Sequence, residues 1–511
     1  MADFHELGPD MQDARTLARG AGVALPGRVI GRAMAVLTQI LLARLLGPAI
    51  FGLYSVGYAL LRLGELILPL GMDQGVVRFG AYGQGADPEP PPGVLGRGIG
   101  VAVLVGVLAG GGLVLLAPYL AQAAFHDPSM RSVLVGIAPA LALAAGLQVG
   151  ASATRLSRRM QYAVLTQDLG QPFLNLILAG LFVWLGWGLR GALGALVASY
   201  AAAFTGALLF IKRLFPQAFG IGEMNQVSLP AMLAFSVPAS LARIFGSMIM
   251  MFDRVVIGFL RPASDVGVYQ AASLSASIFP IILISFNAIF APMIADLHAR
   301  GERQRLEQVY RLATRWGIYL SLPFYLLMLA APGEILQGVF GVGYAEGVLP
   351  MLILATAQWV SIGVGGVGVL LPMTGHEKPW LRVSAVAVSL HLAASFLLVP
   401  RLGIVGGALA TGGALLCLYL GGLVLTRRRL GIWPYDARLM KGAWALIAGI
   451  AAVILARRIS LSDPLLKVIL LGVLIAGAVL AALALKGLEP EERSLLESIK
   501  DKIWRGRVVS R

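Results

Sequence analysis

Apolar stretches long enough to cross a lipid bilayer recur along the whole chain, and that repetition leaves few folds open. A crossing helix needs about 20 mostly apolar residues. About fourteen such stretches are legible, beginning with Leu25–Leu46 and Ile50–Met72 and ending with Leu439–Ala456 and Leu465–Leu485. Short connections rich in Gly, Pro and charge separate them, such as Gly47–Pro48, Pro88–Gly93 and Gly375–Pro379. Of 511 residues, 58% are apolar and 13% charged, whereas soluble domains average about 25% charged. So few charges cannot cover a water-soluble body. The expected fold is an all-α polytopic membrane protein with about 14 transmembrane helices.

The formal net charge is +15. The basic residues fall in short runs between apolar stretches, which is the pattern of cytoplasmic membrane loops and not of a nucleic-acid-binding face. One set of loops carries Arg155, Arg158 and Arg159, then Lys212 and Arg213, then Arg300, Arg303, Arg305, Arg311 and Arg315, then Arg427 to Arg429. The opposite loops are poor in Lys and Arg, and the bias of about three to one predicts both termini in the cytoplasm. The polar N-terminus lacks the order of a cleavable signal peptide, so the first span is expected to serve as an uncleaved insertion signal.

An internal repeat is also legible. LGPAIFGLY at Leu46–Tyr54 resembles LRPASDVGVY at Leu260–Tyr269, which sets Gly52 against Gly267 at an offset of 215 positions. Gly188–Gly191 (GLRG) matches Gly403–Gly406 (GIVG), and Lys212–Arg213 match Arg427–Arg428, both at that same offset. Spans one to six (residues 1–215) are therefore expected to form one lobe and spans seven to twelve (216–430) another. Residues 431–511 supply spans thirteen and fourteen and an amphipathic tail.

Polar side chains at mid-membrane cost about 2.5–3.5 kcal/mol for Arg or Asp, so they are functional candidates. Span one carries Arg28, Arg32 and Gln39 on one helical face; span two carries Tyr54, Tyr58, Arg62 and Glu65. Span seven carries Ser236, Ser240, Arg243, Ser247 and Arg254, with Asp253 beside it, and span eight carries Tyr269, Ser273 and Ser277. These are repeat-related pairs, expected to face one cationic cavity. Arginine forks suit phosphate or carboxylate, so the expected cargo is anionic. Glu65 and Asp253 are the ion-coupling candidates. Bland readings compete: Arg28 fits a snorkelling role, Arg44 and Arg254 fit interface anchors, and Arg62 with Glu65 fits a structural pair. Asp168, Gln171 and Asn175 fit helix–helix hydrogen bonding.

Other chemistries lack their residues. The five histidines are scattered and the single cysteine, Cys417, sits in an apolar stretch, so no metal or thiolate site is expected. No Gly-Lys-Ser/Thr loop occurs, and the GxGxxG at Gly186–Gly191 follows no strand. No cofactor and no enzymatic activity are expected. Two amphipathic segments are expected to lie on anionic lipid: Leu306, Val309, Tyr310, Ala313 and Trp316 after span eight, and the tail with Leu495, Leu496, Ile499 and Ile503 opposite Lys500, Lys502 and Arg505.

LLARLLGPAIFGLYSV with LGMDQGVVRF (Leu70–Phe79), MFDRVVIGFLRPASDVGVYQAA, FAPMIADLHARGERQRLEQVYRLATRW and LLVPRLGIVGGALAT (Leu397–Thr411) follow one another in an order that resembles polysaccharide flippases of the multidrug/oligosaccharidyl-lipid/polysaccharide (MOP) exporter superfamily. The resemblance covers nearly the whole chain. It implies two six-helix lobes in a V with two extra C-terminal helices. It also implies alternating access driven by an ion gradient or membrane potential, an undecaprenyl-diphosphate-linked oligosaccharide as cargo, and polymerase or glycosyltransferase partners in the inner membrane. Drug exporters of the superfamily carry an acid in span one, where this chain has Arg28 and Arg32. A lipid II flippase, a drug exporter of the same superfamily, and a transport-inactive scaffold remain the alternatives.

Overall fold

The computed structural model describes residues 9–81, 90–157, 159–216, 227–456 and 463–485; the side chains of 9–25, 239, 241–250, 288–289 and 456 lie outside the description. The first half contains α1 (Pro9–Ile67), α2 (Met72–Gly80), α3 (Val94–Tyr119), α4 (Met130–Thr154), the short α5 (Gln161–Ala163), α6 (Gln171–Phe182) and α7 (Gly188–Leu214). The second contains α8 (Leu229–Leu260), α9 (Ala263–Ala276), α10 (Ile278–Ala299), α11 (Arg303–Ala330), α12 (Pro332–Phe340), α13 (Val348–Val364), α14 (Val367–Met373) and α15 (Glu377–Leu430). Last come α16 (Met440–Ala456) and α17 (Pro464–Leu485). No strand occurs among the described residues.

Nine helices among those residues are long and apolar enough to cross a membrane, or ten when the α9–α10 pair, bent by 40°, is taken as one span. Three of the runs are 54 or 55 residues long. At 1.5 Å per residue each would extend about 80 Å, far beyond a hydrocarbon core of about 30 Å. Each run turns back at glycine: Gly47 in α1, Gly186 and Gly188 between α6 and α7, Gly403 in α15. All four have positive φ, where a side chain would be strained. Counted as two arms each, these runs bring the ten to thirteen, and α8 (32 residues) is long enough to supply a fourteenth crossing. The GxGxxG at Gly186–Gly191 is thus a turn between helices.

The repeat reappears in local geometry. Gly188 has φ 50°, ψ −130° and Gly403 has φ 59°, ψ −139°. Gly52 and Gly267, the other matched pair, meet each other. A Cβ on Gly52 would lie 2.6 Å from the Ala263 carbonyl carbon and 2.9 Å from the Gly267 nitrogen. A Cβ on Gly267 would lie 2.9 Å from the Pro48 carbonyl carbon and 3.1 Å from the Gly52 nitrogen. Pro48 and Ala263 are again 215 positions apart. The contact is therefore reciprocal, a local twofold made of backbone on backbone.

Other contacts tie the halves together around it. Arg44 donates to the carbonyls of Gly338 and Val339, and Tyr344 Oη donates 2.7 Å to the Ala43 carbonyl. Arg44 is thus a bridge between the halves, correcting its reading as an interface anchor. At the opposite end α2 packs on the start of α8. There Gly71 and Gly75 admit Ser236, and Arg78 stacks 4.1 Å from the Phe235 ring centroid. The two halves touch at both ends.

The stripe Leu306–Trp316 packs on protein: Leu306 and Tyr310 are buried with Phe290, Ile294 and Val367, and Tyr310 Oη donates 2.6 Å to the Val364 carbonyl. Its expected place on the lipid surface is corrected accordingly. The C-terminal tail lies outside the described residues. α16 and α17 pack on each other and on α11, and Lys467 pairs with Glu334 of α12 at 2.5 Å. Their outer faces, with Ile447, Ile454, Ile469 and Val473, are exposed and apolar, as a lipid-facing surface must be.

Candidate functional site

The turn at Gly47 lays the two arms of α1 side by side, so the stripes of spans one and two share a surface. Arg28 and Arg32 lie one turn apart on the first arm. Arg28 reaches Asp168 at 3.7 Å, with Arg155 close to both. Asp168 sits in a π-helical stretch, Val164–Gly170, and a Cβ on Gly31 would meet its carbonyl carbon at 2.8 Å. The carboxylate expected to serve helix packing thus takes part in an ion pair. Gln171 does pack by hydrogen bonding, Nε2 donating 3.2 Å to Ser199 Oγ.

On the second arm Tyr54 is fully buried and stacks on Tyr58, ring centroids 6.0 Å apart. Arg62 pairs with Glu65, which also accepts from Tyr200 Oη of α7. The structure therefore supports the structural-pair reading of Arg62 and adds Tyr200, which no sequence pattern pointed to.

Arg32 is accessible, yet Arg62, Tyr58 and Arg254 all act on it electrostatically. Arg32 therefore stands near charged groups of both halves. No carboxylate pairs with Arg32 among the described residues. Three guanidinium groups thus share one region, two with acids of their own and Arg32 without.

Arg254 comes from α8 and is only 15% exposed, so it is not an interface anchor. It pairs with Asp253 at 3.0 Å, donates 2.7 Å to Ser273 Oγ and also donates to Gln270 Oε1. Gln270 Nε2 in turn donates 3.5 Å to Gln39 Oε1 on α1, crossing between the halves. Asp253, 2% exposed, accepts from Tyr269 Oη at 2.8 Å and from Thr411 Oγ1 at 3.4 Å. Thr411 lies 3.2 Å from His391 Nε2. Breaking up such a buried network is costly, because each deletion strands a desolvated partner.

Some expected residues go elsewhere. Ser240 donates 2.8 Å to its own helix at Val237 and packs against Gly71, so it joins a contact between the halves and does not present its hydroxyl to a cavity. The side chains of Arg243 and Ser247 lie outside the described residues. Tyr269 stands on the polar stripe of span eight; its partners Thr411 and His391 were missed, and nothing local in the sequence marked them.

A family model described as Polysaccharide biosynthesis protein matches residues 17–298, and one described as MatE matches 238–397. The probable low-salt glycan biosynthesis flippase Agl15 of Haloferax volcanii is 25% identical over 177 residues, 35% of this chain and 37% of that protein. The capsular polysaccharide biosynthesis protein CapF of Staphylococcus aureus is 22% identical over 174 residues, 34% of this chain and 44% of that protein. The match thus spans less than half the length of either relative. In fold, the chain resembles the lipid II flippase MurJ in an inward closed conformation, with a TM-score of 0.71, 11% identity, and coverage of 89% of this chain and 97% of that one. An inward-facing multidrug resistance MATE family transporter of the MOP superfamily gives a TM-score of 0.62 at 16% identity, covering 78% and 94%.

Proposed function

Since this chain belongs to the polysaccharide biosynthesis protein family of the MOP superfamily, whose model matches more than half of it, we propose that it is a flippase for a lipid-linked anionic oligosaccharide. The reading rests on Arg32, an accessible guanidinium without an acid of its own among the described residues, within electrostatic reach of Arg62 and Arg254. A diphosphate or acidic sugar supplies the missing negative charge and fits the planar fork. Arg243 is assigned to the same cavity from the sequence alone, and Arg28 with Asp168 to its cytoplasmic approach. Half-buried Tyr58 borders the cavity beside Arg62, and fully buried Tyr54 stacks behind it.

In this reading residues 1–215 and 216–430 are two lobes that rock against each other, and the undecaprenyl tail of the cargo stays in the bilayer. A fixed cation in a wet recess lowers the cost of bringing a charged headgroup to mid-membrane. The Gly47 end is the outer end, and both termini face the cytoplasm, from the Lys and Arg bias. The cycle draws on an ion gradient or the membrane potential, with Glu65 and Asp253 as coupling carboxylates. Glycan-polymerising or glycan-assembling enzymes and anionic lipids are its surroundings in the cell membrane.

The test is glycan delivery to the cell surface at matched protein level. Arg32→Ala is expected to reduce delivery by at least tenfold, and Arg32→Lys to retain part of it, because the charge stays while the fork is lost. Normal export by Arg32→Ala present in normal amount refutes the site.

A further inference from the structure

His391 is completely buried, and its Nδ1 has no hydrogen-bond partner. Leaving such a buried group unpaired costs about 1–3 kcal/mol. Its other nitrogen, Nε2, lies 3.2 Å from Thr411 Oγ1, which lies 3.4 Å from Asp253 Oδ2. One arrangement satisfies every donor: Nε2–H donates to Thr411, whose hydroxyl donates to Asp253. Nδ1 then carries a bare lone pair, an empty seat for one proton.

We propose that His391 and Asp253 form a proton-binding site in the second half of the chain, with Thr411 between them, which makes the proton the coupling ion of the flippase reading on which this inference rests. A proton that binds forms an N–H bond at Nδ1 and turns the ring into a cation; deprotonation reverses this and leaves the lone pair. The new charge shares Asp253 with Arg254, the guanidinium that holds it at 3.0 Å. Arg254 is also the group bonded to Gln270, which reaches Gln39 across the halves. Binding the proton therefore loosens a link between the two halves, and its departure restores it.

The surroundings suit a proton better than a metal ion. Asp253 already accepts from Arg254, Tyr269 and Thr411, and a guanidinium beside an imidazole is not the all-oxygen shell that hard cations require. The charged or titratable groups that bear on His391 are few. Asp253 and Arg254 come from α8 and Tyr269 from α9. α13 and α14 carry none, and Cys417 and Tyr419 lie further along the arm that holds Thr411. On its own arm the nearest charged residues, Arg382 and Arg401, are nine and ten positions away.

Two measurements test this on the full-length protein. In the first, imidazole nitrogens are labelled with ¹⁵N in purified protein, and the pair of signals, from one ring of five, that is lost in His391→Gln is followed from about pH 5 to about pH 9. The expected result is a titrating signal whose midpoint moves in Asp253→Asn; a ring that keeps one form throughout, or ignores Asp253→Asn, overturns the proposal. In the second, vesicles carrying the protein and a lipid-diphosphate-linked glycan are given a pH gradient or a sodium gradient. Wild type is expected to flip glycan faster with the pH gradient, and His391→Gln to lose that acceleration by at least tenfold. Acceleration by sodium alone, or a normal pH response in His391→Gln, overturns the proposal while leaving the flippase reading intact. A titrating His391 in a protein that flips no glycan sinks the flippase reading and leaves the proton site.

Discussion

Replacing Gly52 by alanine places a methyl group where there is no room for one. The added carbon would stand 2.6 Å from the Ala263 carbonyl carbon, and ordinary contact begins at 3.4 Å. The obstacle is backbone, so no rotamer change relieves it. The two halves must part at the Gly47 end by about 1 Å or more. Overpacking of this kind costs about 1–3 kcal/mol. In the proposed alternating-access cycle only the conformation closed at that end suffers, so the cost enters as a shift of about 5- to 150-fold toward the conformation open there. Leu45 and Val342 are exposed on either side of this end, 49% and 80% accessible, and accept spin labels once Cys417 is replaced by serine. Pulsed distance measurements in lipid nanodiscs should show the short Leu45–Val342 population shrink in Gly52→Ala and the long one grow. Gly267→Ala should do the same, since its Cβ meets the equivalent atoms. The double variant should add less than the sum, because the first methyl already holds the contact open. Distance distributions in Gly52→Ala that coincide with wild type refute the reasoning.

Two more predictions follow from the geometry. Asp253→Asn strips Arg254 of its carboxylate inside a buried network, so stability should fall by about 3–5 kcal/mol; the thermal midpoint of purified protein reads this, and Asp253→Asn with Arg254→Gln should recover part of the loss. Reporter fusions after Arg213 and after Arg511 should both report cytoplasm; an exterior signal at either point means that a span was miscounted.

Much of the fold was legible because helix periodicity and glycine turns are local. Gly188 and Gly403 could be matched by eye, and their backbone angles agree. The stripes on α1 and α8 were also legible, since every third or fourth residue marks a face. What periodicity cannot say is which face another helix meets. Ser240 sat on the right stripe, yet it packs on Gly71. Arg44 looked like an anchor because its acceptors, Gly338 and Val339, are backbone groups some 294 positions away, which no side-chain pattern advertises. His391 stands alone in its span, and only the fold brings it beside Thr411 and Asp253. Gly52 and Gly267 were recognised as equivalents; that equivalents should touch follows only once the halves pack around a common axis.

That axis has a consequence for how such a chain could arise. A residue on a twofold faces its own copy, so in a dimer of one six-span chain a single substitution at this glycine would strike the interface from both sides at once. No larger residue could be balanced by a smaller partner, because the partner would have enlarged too. Joining the copies into one chain removes that bond between the two positions, and each is then free to vary against the other. Here both are glycine, and the seam has the geometry of a self-complementary pair.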